Sequence, residues 1–414
     1  MSAEEADLPA WRREKIFPEK PGEGAYGLVG EKSQAYAFAT FEELEAHLGK
    51  EEVEVGLIWT PERERCFPPE EEPQLLEILR RRKVGRFKGD LRRSLVMGGL
   101  FALPLLYGVV MGGFSWKALQ SQQFGFMAVL WLMFGAIPAY EAWKRLRRAR
   151  VLDSANLGQE AQEVRFEIWL LRQSVGVTKL LIGMLLGVYL VQVLIGYEYM
   201  KALLGALLAP KEQFGRGFIE AGVPAAGLIK ENGYFAGEWW RLFTGPMMHA
   251  NLLHIGMNGL ALLYLGRRTE VLAGWPHLVL VYLFALLGGS LASTYGFPDA
   301  PAVGASGAIL GLLGFLLVFE FLHGRLVPKR ATRRLYAGLI LTFVVGAVGY
   351  RFIDNWAHGG GLVAGMIYAA VVFPKSSSPH RPRPTRLDVV AGGASLLLIV
   401  SFALLGVLLM KGSG

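Results

Sequence analysis

Cysteine is nearly absent from this chain, and so is any acidic residue in its most apolar stretches. Cys66 is the only cysteine in 414 residues, which excludes an internal disulfide and a thiolate metal cluster. The start, Met1–Glu5, is acidic and has no apolar stretch, so we expect no cleaved signal peptide. Only 19% of residues are charged and 52% are hydrophobic, a composition that indicates a polytopic membrane protein rather than a soluble one.

The net charge of +8 comes from Lys and Arg clusters beside apolar segments. Such clusters are typical of membrane orientation, so we expect no nucleic-acid partner. No residue pattern indicates a cofactor.

Residues 1–92 differ from the rest because they are polar and charged. Ala25–Gly30, Ala35–Ala39 and Val53–Thr60 have the composition of strands, Thr40 precedes a helix as its cap, and Pro73–Lys83 is amphipathic. These features predict a small soluble α/β domain. It contains no catalytic constellation, so we favour a plain structural role, while ligand sensing and docking of a cytoplasmic partner stay open.

Nine apolar segments follow, each near the length of about 20 residues that a membrane helix needs. They cover residues 94–113, 122–141, 178–197, 247–266, 275–295, 304–323, 334–350, 356–374 and 388–410. Residues 143–177 are too polar to span and predict a cytoplasmic or interfacial linker. Residues 375–414 predict a basic linker and one additional span.

The basic clusters fall on one side of the membrane if all nine segments span. They are Arg80–Arg93, Lys144–Arg150, Arg267–Arg268, Arg325–Arg334 and Lys375–Arg386. By the positive-inside rule that side is the cytoplasm. The sequence therefore predicts a multi-pass protein of the plasma (inner) membrane with a cytoplasmic N-terminus, an outer C-terminus and Ser306 near the outer face.

Two polar residues enter the membrane from this outer side. Ser306 lies in Gly304-Ala305-Ser306-Gly307 at the start of one span, and His358 lies at the start of another. A serine beside an imidazole supplies a nucleophile and a general base. Gly307 with Gly311, and Gly361 with Gly365, form G-x-x-x-G patterns that let helix backbones approach closely.

His254 and Asn258 are four residues apart and share one helix face, so their side chains could donate to an oxyanion. The rival interpretation is a metal site formed by His249, His254 and His358. We expect no metal, because these segments lack Asp and Glu near the histidines and no H-E-x-x-H pattern occurs. For the same reason we expect a Ser–His dyad rather than a triad.

Four motifs together resemble the rhomboid intramembrane serine proteases over residues 178–374. They are the outer-loop pair Trp240-Arg241, the H-x-x-x-x-H-x-x-x-N stretch from His249 to Asn258, the G-x-S-G around Ser306, and the A-H-x-x-G-x-x-x-G from Ala357 to Gly365. Singly each motif is weak, but the four occur in the family's order on successive segments.

The resemblance implies an all-α polytopic protein with a six-helix core, two extra N-terminal spans at 93–142 and one extra C-terminal span. It implies Ser306 as nucleophile, His358 as base, and His254 and Asn258 with backbone N–H groups as the oxyanion hole. Gly304, Gly307, Gly361, Gly365, Trp240 and Arg241 would support this site.

The implied activity is an endopeptidase that cuts transmembrane segments of other proteins within the lipid bilayer. One departure is Leu310, where many relatives have an aromatic ring that packs on the histidine. Two alternatives stay open: a non-catalytic rhomboid-like protein that binds transmembrane segments, and a transporter. The presence of both Ser306 and His358 argues against the first. The lack of charged intramembrane residues and of an obvious internal repeat argues against the second.

Overall fold

The computed structural model describes residues 7–412 except 22–23, 31–33, 51–55, 112–114, 116–120 and 206–222. Its contacts divide the chain into two compact units. The N-terminal unit contains Met1–Arg172, Val327–Arg334 and Ile340–Ile353, and the C-terminal unit contains Gln173–Leu326, Leu335–Leu339 and Asp354–Gly414.

A three-stranded antiparallel sheet begins the N-terminal unit. Its strands are β1 (Tyr26–Val29), β2 (Ala35–Phe38) and β3 (Leu57–Trp59), in the order β2-β1-β3. The first two strands agree with the sequence prediction to within a residue or two. Of the predicted strand Val53–Thr60, residues 53–55 lie outside the described residues and β3 occupies the remainder.

Helix α1 (Phe41–Leu48) follows the sheet and starts at the predicted cap. The Thr40 hydroxyl accepts a hydrogen bond from the Glu43 N–H at 3.2 Å, and the Glu43 carboxylate accepts one from the Ala39 N–H at 3.0 Å. These reciprocal bonds satisfy donors that the first turn would otherwise leave open. Leu28, Leu44 and Ile58 are fully buried between the helix and the sheet and form the core of this small domain.

Helix α2 (Leu76–Met111) is one continuous helix of 36 residues. It joins the predicted amphipathic helix to the first predicted span without a break, so the boundary placed at residue 92 lies inside it. The intervening stretch contains mainly Lys, Arg and Leu, which favour helix strongly enough to outweigh Gly85 and Gly89.

Helices α3 (Gln122–Trp131) and α4 (Ile137–Arg150) are joined by a π-helical turn, Leu132–Ala136. Within that turn Gly135 lies against Gly98 of α2, so close that a Cβ on Gly135 would be 2.5 Å from the Gly98 Cα. Helix α5 (Ser154–Arg172) is the polar segment after the second predicted span. Its Arg165 forms an ion pair with Glu71 at 2.7 Å.

The C-terminal unit contains the remaining helices. They are α6 (Gly176–Gly205), α7 (Val223–Ala226), α8 (Arg241–Thr244), α9 (Leu252–Ala273), α10 (Trp275–Gly296), α11 (Ser306–Leu322), α13 (Asn355–Val372) and α14 (Arg386–Gly412). Helix α12 (Lys329–Val348) has residues in both units. Most of α11 is buried, because α9, α10 and α13 all pack against it. Its last turn holds Glu320, which forms a fully buried ion pair with Arg268 of α9.

Six helices in the described part of the chain are long and apolar enough to cross a membrane. They lie at Pro73–Met111, Gln123–Arg150, Gly176–Gly196, Trp275–Gly296, Lys329–Val348 and Arg386–Gly412, and α11 is apolar but shorter. The protein is therefore a multi-pass, mainly helical membrane protein. The predicted spans at 247–266 and 356–374 correspond to α9 and α13, which do not meet that criterion and stay predictions as spans.

Candidate active site

The site begins where Ser306 and His358 meet. Ser306 is the first residue of α11, and His358 lies in the first turn of α13. The Ser306 Oγ and the His358 Nε2 are 2.9 Å apart, a hydrogen bond in which the hydroxyl can donate to a neutral ring. Both side chains are half-buried. The two helix starts thus bring a hydroxyl and a base into direct contact.

Paired glycines let α11 and α13 approach closely enough for this hydrogen bond. A Cβ placed on Gly361 would lie 2.0 Å from the Gly307 carbonyl oxygen, and one on Gly365 would lie 1.8 Å from the Gly311 oxygen. No side chain fits at either position without moving a backbone. The predicted G-x-x-x-G faces of α11 and α13 are therefore in mutual contact, and this contact fixes the depth of His358 relative to Ser306.

The segment before Ser306 faces the side chains of α9. Gly304 has a φ of +107°, a conformation that favours glycine. A Cβ on Gly304 would lie 2.5 Å from the His254 Cε1 and 3.5 Å from the Asn258 Nδ2. The His254 and Asn258 side chains therefore lie beside Gly304, which precedes Ser306 by two residues. They are close to the start of α11, where its first-turn N–H groups lie.

The N–H groups at the start of α11 are available for a ligand. Within the described chain no side chain caps this helix, and its first backbone bond runs from the Ile309 N–H to the Ala305 carbonyl at 3.0 Å. Unpaired N–H groups and the positive end of the helix dipole favour a negatively charged oxygen at this point.

His249 has a structural role that the sequence analysis missed. Its Nδ1 lies 3.2 Å from the Met247 carbonyl oxygen and its Nε2 lies 3.0 Å from the Asn258 Nδ2. Since a carbonyl can only accept, Nδ1 carries the proton and Nε2 accepts from the amide. Buried Gln192 of α6 holds the His249 backbone with two further bonds. The motif spacing indicated His249, but nothing in the sequence indicated Gln192.

The histidines do not form a metal-binding arrangement. Both ring nitrogens of His249 are occupied by the contacts just described, which leaves it no lone pair for a metal. Among the residues that the structure describes, no group of three or more His, Cys, Asp or Glu side chains could hold a metal ion.

The loop between α7 and α8 is organised by Arg241, which directly follows Trp240. The guanidinium is 7% exposed and donates to the carbonyl oxygens of Gly227 at 2.7 Å and Pro224 at 3.0 Å. Its Nε also pairs with Glu238. Arg241 thus holds α7 against the start of α8, and its supporting role in the site stays a prediction. Trp240 is half-buried and packs edge-on against Trp239.

Leu310 is buried in α11, and the described residues include no aromatic ring packed on His358. The buried Nδ1 of His358 has no hydrogen-bond partner among the described residues. Asp354 caps the helix that carries this ring, with its Oδ1 accepting from the Ala357 N–H at 2.9 Å. No sequence motif indicated Asp354.

Known proteins are similar to this chain over the part that contains these residues. Residues 236–375 match the family described as the Rhomboid domain. The chain is 39% identical over 155 residues to the Rhomboid protease GluP of Bacillus subtilis, across 36% of this chain and 29% of that protein. It is 34% identical over 142 residues to the RHOMBOID-like protein 6, mitochondrial, of Arabidopsis thaliana, across 34% of this chain and 46% of the relative.

The relatives also include a protein named as inactive. The Inactive rhomboid protein 1 of Rattus norvegicus is 31% identical over 139 residues, across 33% of this chain and 16% of its own length. The chain spans less than half the length of each of these three relatives. The similarity thus covers the part of the chain that holds Ser306, His358, His254 and Asn258.

Proposed function

We propose that this chain, whose residues 236–375 match the Rhomboid domain, is an intramembrane serine endopeptidase of the rhomboid family with Ser306 and His358 as its catalytic dyad. The observation that carries the proposal is the 2.9 Å contact between the Ser306 Oγ and the His358 Nε2. A serine hydroxyl is a weak nucleophile at neutral pH until an adjacent base removes its proton. The geometry supplies that base directly.

Acylation would proceed with Ser306 Oγ attacking a peptide carbonyl carbon while its proton moves to His358 Nε2. The carbonyl π electrons become the oxyanion of a tetrahedral intermediate. Its collapse breaks the C–N bond, and the leaving amine takes the proton from His358. A water molecule, deprotonated by the same imidazole, then hydrolyses the acyl-enzyme and restores Ser306.

The oxyanion would be bound by His254, Asn258 and the first-turn N–H groups of α11. Support comes from the contact of the His254 ring with Gly304 and from the open start of α11. Asn258 donates to His249 in this structure, so its second amide hydrogen would be the one offered to the oxyanion. Such donors act most strongly on charge that develops along the reaction path.

The substrates would be transmembrane segments cut near the outer face of the plasma (inner) membrane. Support comes from the basic loops, which favour a cytoplasmic N-terminus and an outer Ser306. A helix shields its peptide bonds with its own hydrogen bonds, so we expect Gly, Pro or small polar residues near the cut. The soluble N-terminal domain would then face the cytoplasm and any partner there.

A serine-directed fluorophosphonate probe tests the proposal on the full-length protein. We expect covalent labelling at Ser306, loss of labelling in Ser306→Ala, and retention in the control Ser401→Ala, whose exposed hydroxyl lies on α14. The same preparations should cleave a single-span substrate with a Gly-rich outer end and fail on a Leu-rich version. A wild-type protein that binds the substrate but neither cleaves it nor reacts would instead be a non-catalytic rhomboid-like binding protein.

A further inference from the structure

A carboxylate lies one helical turn before His358. Asp354 is the N-cap of α13: its Oδ1 accepts from the Ala357 N–H at 2.9 Å, and its backbone carbonyl accepts from the His358 N–H at 3.1 Å. Its Oδ2 accepts a hydrogen bond from the Ser293 hydroxyl of α10. Because both carboxylate oxygens are engaged, the charge of Asp354 is held in one place relative to the His358 ring.

The second partner of Asp354 belongs to a rigid neighbour. Ser293 is fully buried, and one turn before it Gly289 packs against α13 so closely that a Cβ there would be 2.8 Å from the Ala357 carbonyl oxygen. The helix α10 therefore supports both the backbone and the capping carboxylate of the turn that carries His358.

The charged groups that bear on this turn include Lys230 and Asp299. Lys230 and Asp354 interact electrostatically, and Lys230 is also influenced by Asp299. Lys230 is only 2% exposed, and its Nζ donates to the carbonyl oxygens of Phe297 and Ala300 in the loop that leads to Ser306. Burial lowers the pKa of Lys230, and the two carboxylates act in the opposite direction. His358 itself interacts with Asp354 and with His254.

A buried imidazole that accepts a proton becomes a cation and needs a compensating charge. In serine hydrolases with a triad, a carboxylate bonded to Nδ1 supplies it. Here Nδ1 has no hydrogen-bond partner among the described residues. The carboxylate nearest to His358 along the chain is that of Asp354, which caps the turn carrying His358 and whose backbone carbonyl accepts from the His358 N–H at 3.1 Å.

We propose that Asp354, fixed by Ser293, is a positioning residue that orients the first turn of α13 and electrostatically supports His358 as it accepts the proton of Ser306. The proposal rests on the proposed function of the dyad. In a triad a carboxylate is bonded directly to the imidazole, whereas Asp354 would act on His358 from one helical turn away. Lys230, which anchors the loop before Ser306, would then reduce the effect of the Asp354 charge on His358, because its own positive charge partly offsets that carboxylate.

The decisive variant is Asp354→Asn in the full-length protein. Asparagine is as good an N-cap as aspartate, so the helix start is kept while the charge is lost. We expect KM to stay unchanged, kcat to fall on the order of tenfold, and the acidic limb of the rate profile to move about one pH unit lower, because the imidazolium loses its stabilising charge. Asp354→Glu should recover part of the rate, and Ser293→Ala should lower kcat less than Asp354→Asn does.

The matched control is Asp153→Asn in the N-terminal unit. Asp153 caps α5 in the same way, with its Oδ1 accepting from the Asn156 N–H at 2.7 Å and its carbonyl accepting from the Leu157 N–H at 2.8 Å. This control should leave kcat and the pH profile unchanged. If Asp354→Asn matches the wild type in both, Asp354 is a helix cap and nothing more, and the proposal is overturned.

A measurement that needs no turnover separates this proposal from the proposed function. The titration of the His358 ring, followed by NMR on histidine-labelled protein, should move to lower pH in Asp354→Asn and not in Asp153→Asn. If the wild type neither cleaves nor reacts with phosphonate, the endopeptidase function fails, yet the shift would still establish the charge coupling. An unmoved His358 titration would overturn the coupling even in an active enzyme.

Discussion

At the scale of single residues, the contact between Ser306 and His358 requires that the two act as a unit. Ser306→Ala removes one oxygen, so the variant should fold and bind substrate without cleaving it. His358→Ala should lose both cleavage and phosphonate labelling, because the hydroxyl loses its base. Turnover of the double variant should be hardly lower than that of either single variant, as for other coupled catalytic residues. Losses that multiply would mean that the two residues act independently.

His254→Ala and Asn258→Ala should lower kcat rather than raise KM, because an oxyanion exists only along the reaction path. Loss of one such donor costs about 2.7–4 kcal/mol, or roughly 100- to 1,000-fold in rate. Asn258→Ala should also lower the melting temperature, since it leaves His249 Nε2 without its donor in a buried site. His254→Ala serves as the comparison, because its ring lies against Gly304 and the His249 ring but does not supply the donor to His249 Nε2. A pure rise in KM would assign both residues to substrate binding.

The sequence predicted which residues meet but not what holds them. Ser306, His358, His254 and Asn258 stand in motifs with fixed spacing, so their proximity could be predicted from the chain alone. The partners of the site come from distant positions: Gln192 is 57 residues from His249, and Ser293 is 61 residues from Asp354. No local pattern marks such residues, because a buried hydrogen bond depends on which helices become neighbours.

At the scale of helices, the contact between α11 and α13 depends on glycines that can be tested one at a time. Gly361→Ala and Gly365→Ala would each place a methyl group about where a backbone carbonyl now lies. We expect each to destabilise the fold by roughly 1–3 kcal/mol or more and to abolish cleavage by separating His358 from Ser306. Melting in a fixed detergent and cleavage assays measure the two effects.

Gly359→Ala is the matched control on the same helix, because nothing lies within 4 Å of the added methyl group. It should leave cleavage intact and stabilise the helix by up to about 1 kcal/mol, since alanine favours helix more than glycine does. Equal losses in all three variants would show that general helix stability matters here, and not the close approach of two backbones.

The sequence predicts the helices of the site as spans, but in the structure they do not meet the criterion of length and hydropathy. Helix α9 contains Arg267, Arg268 and Glu270, and α13 begins with polar and glycine residues, so neither meets a simple criterion of length and hydropathy. The structure shows how one such polar group is accommodated, because Arg268 pairs with buried Glu320 instead of facing lipid. Of α9, α11 and α13, which carry the site residues, only α11 is mostly buried, and it is also too short to meet the criterion.

At the scale of the whole molecule, the native cysteine is unsuitable for testing membrane topology. Cys66 is 1% exposed in the core of the soluble domain, and burial raises the pKa of its thiol. A thiol that is both inaccessible and protonated reacts slowly with maleimides from either side of the membrane. We therefore expect native protein to remain unlabelled by a maleimide even after the membrane is opened, and to label once the soluble domain is unfolded by denaturant.

Topology requires new cysteines at exposed positions in a Cys66→Ala background. Asp299 lies in the connection before Ser306, and Ser377 lies in the basic connection after α13; both side chains are exposed. If basic loops mark the cytoplasm, Asp299→Cys should react with an impermeant maleimide on intact cells, and Ser377→Cys only after permeabilisation. Each variant controls for the other, because the two new cysteines are both exposed and are expected on opposite sides of the membrane. The reverse pattern would place Ser306 near the cytoplasmic face, and substrates would then be cut at the opposite end of their membrane segment.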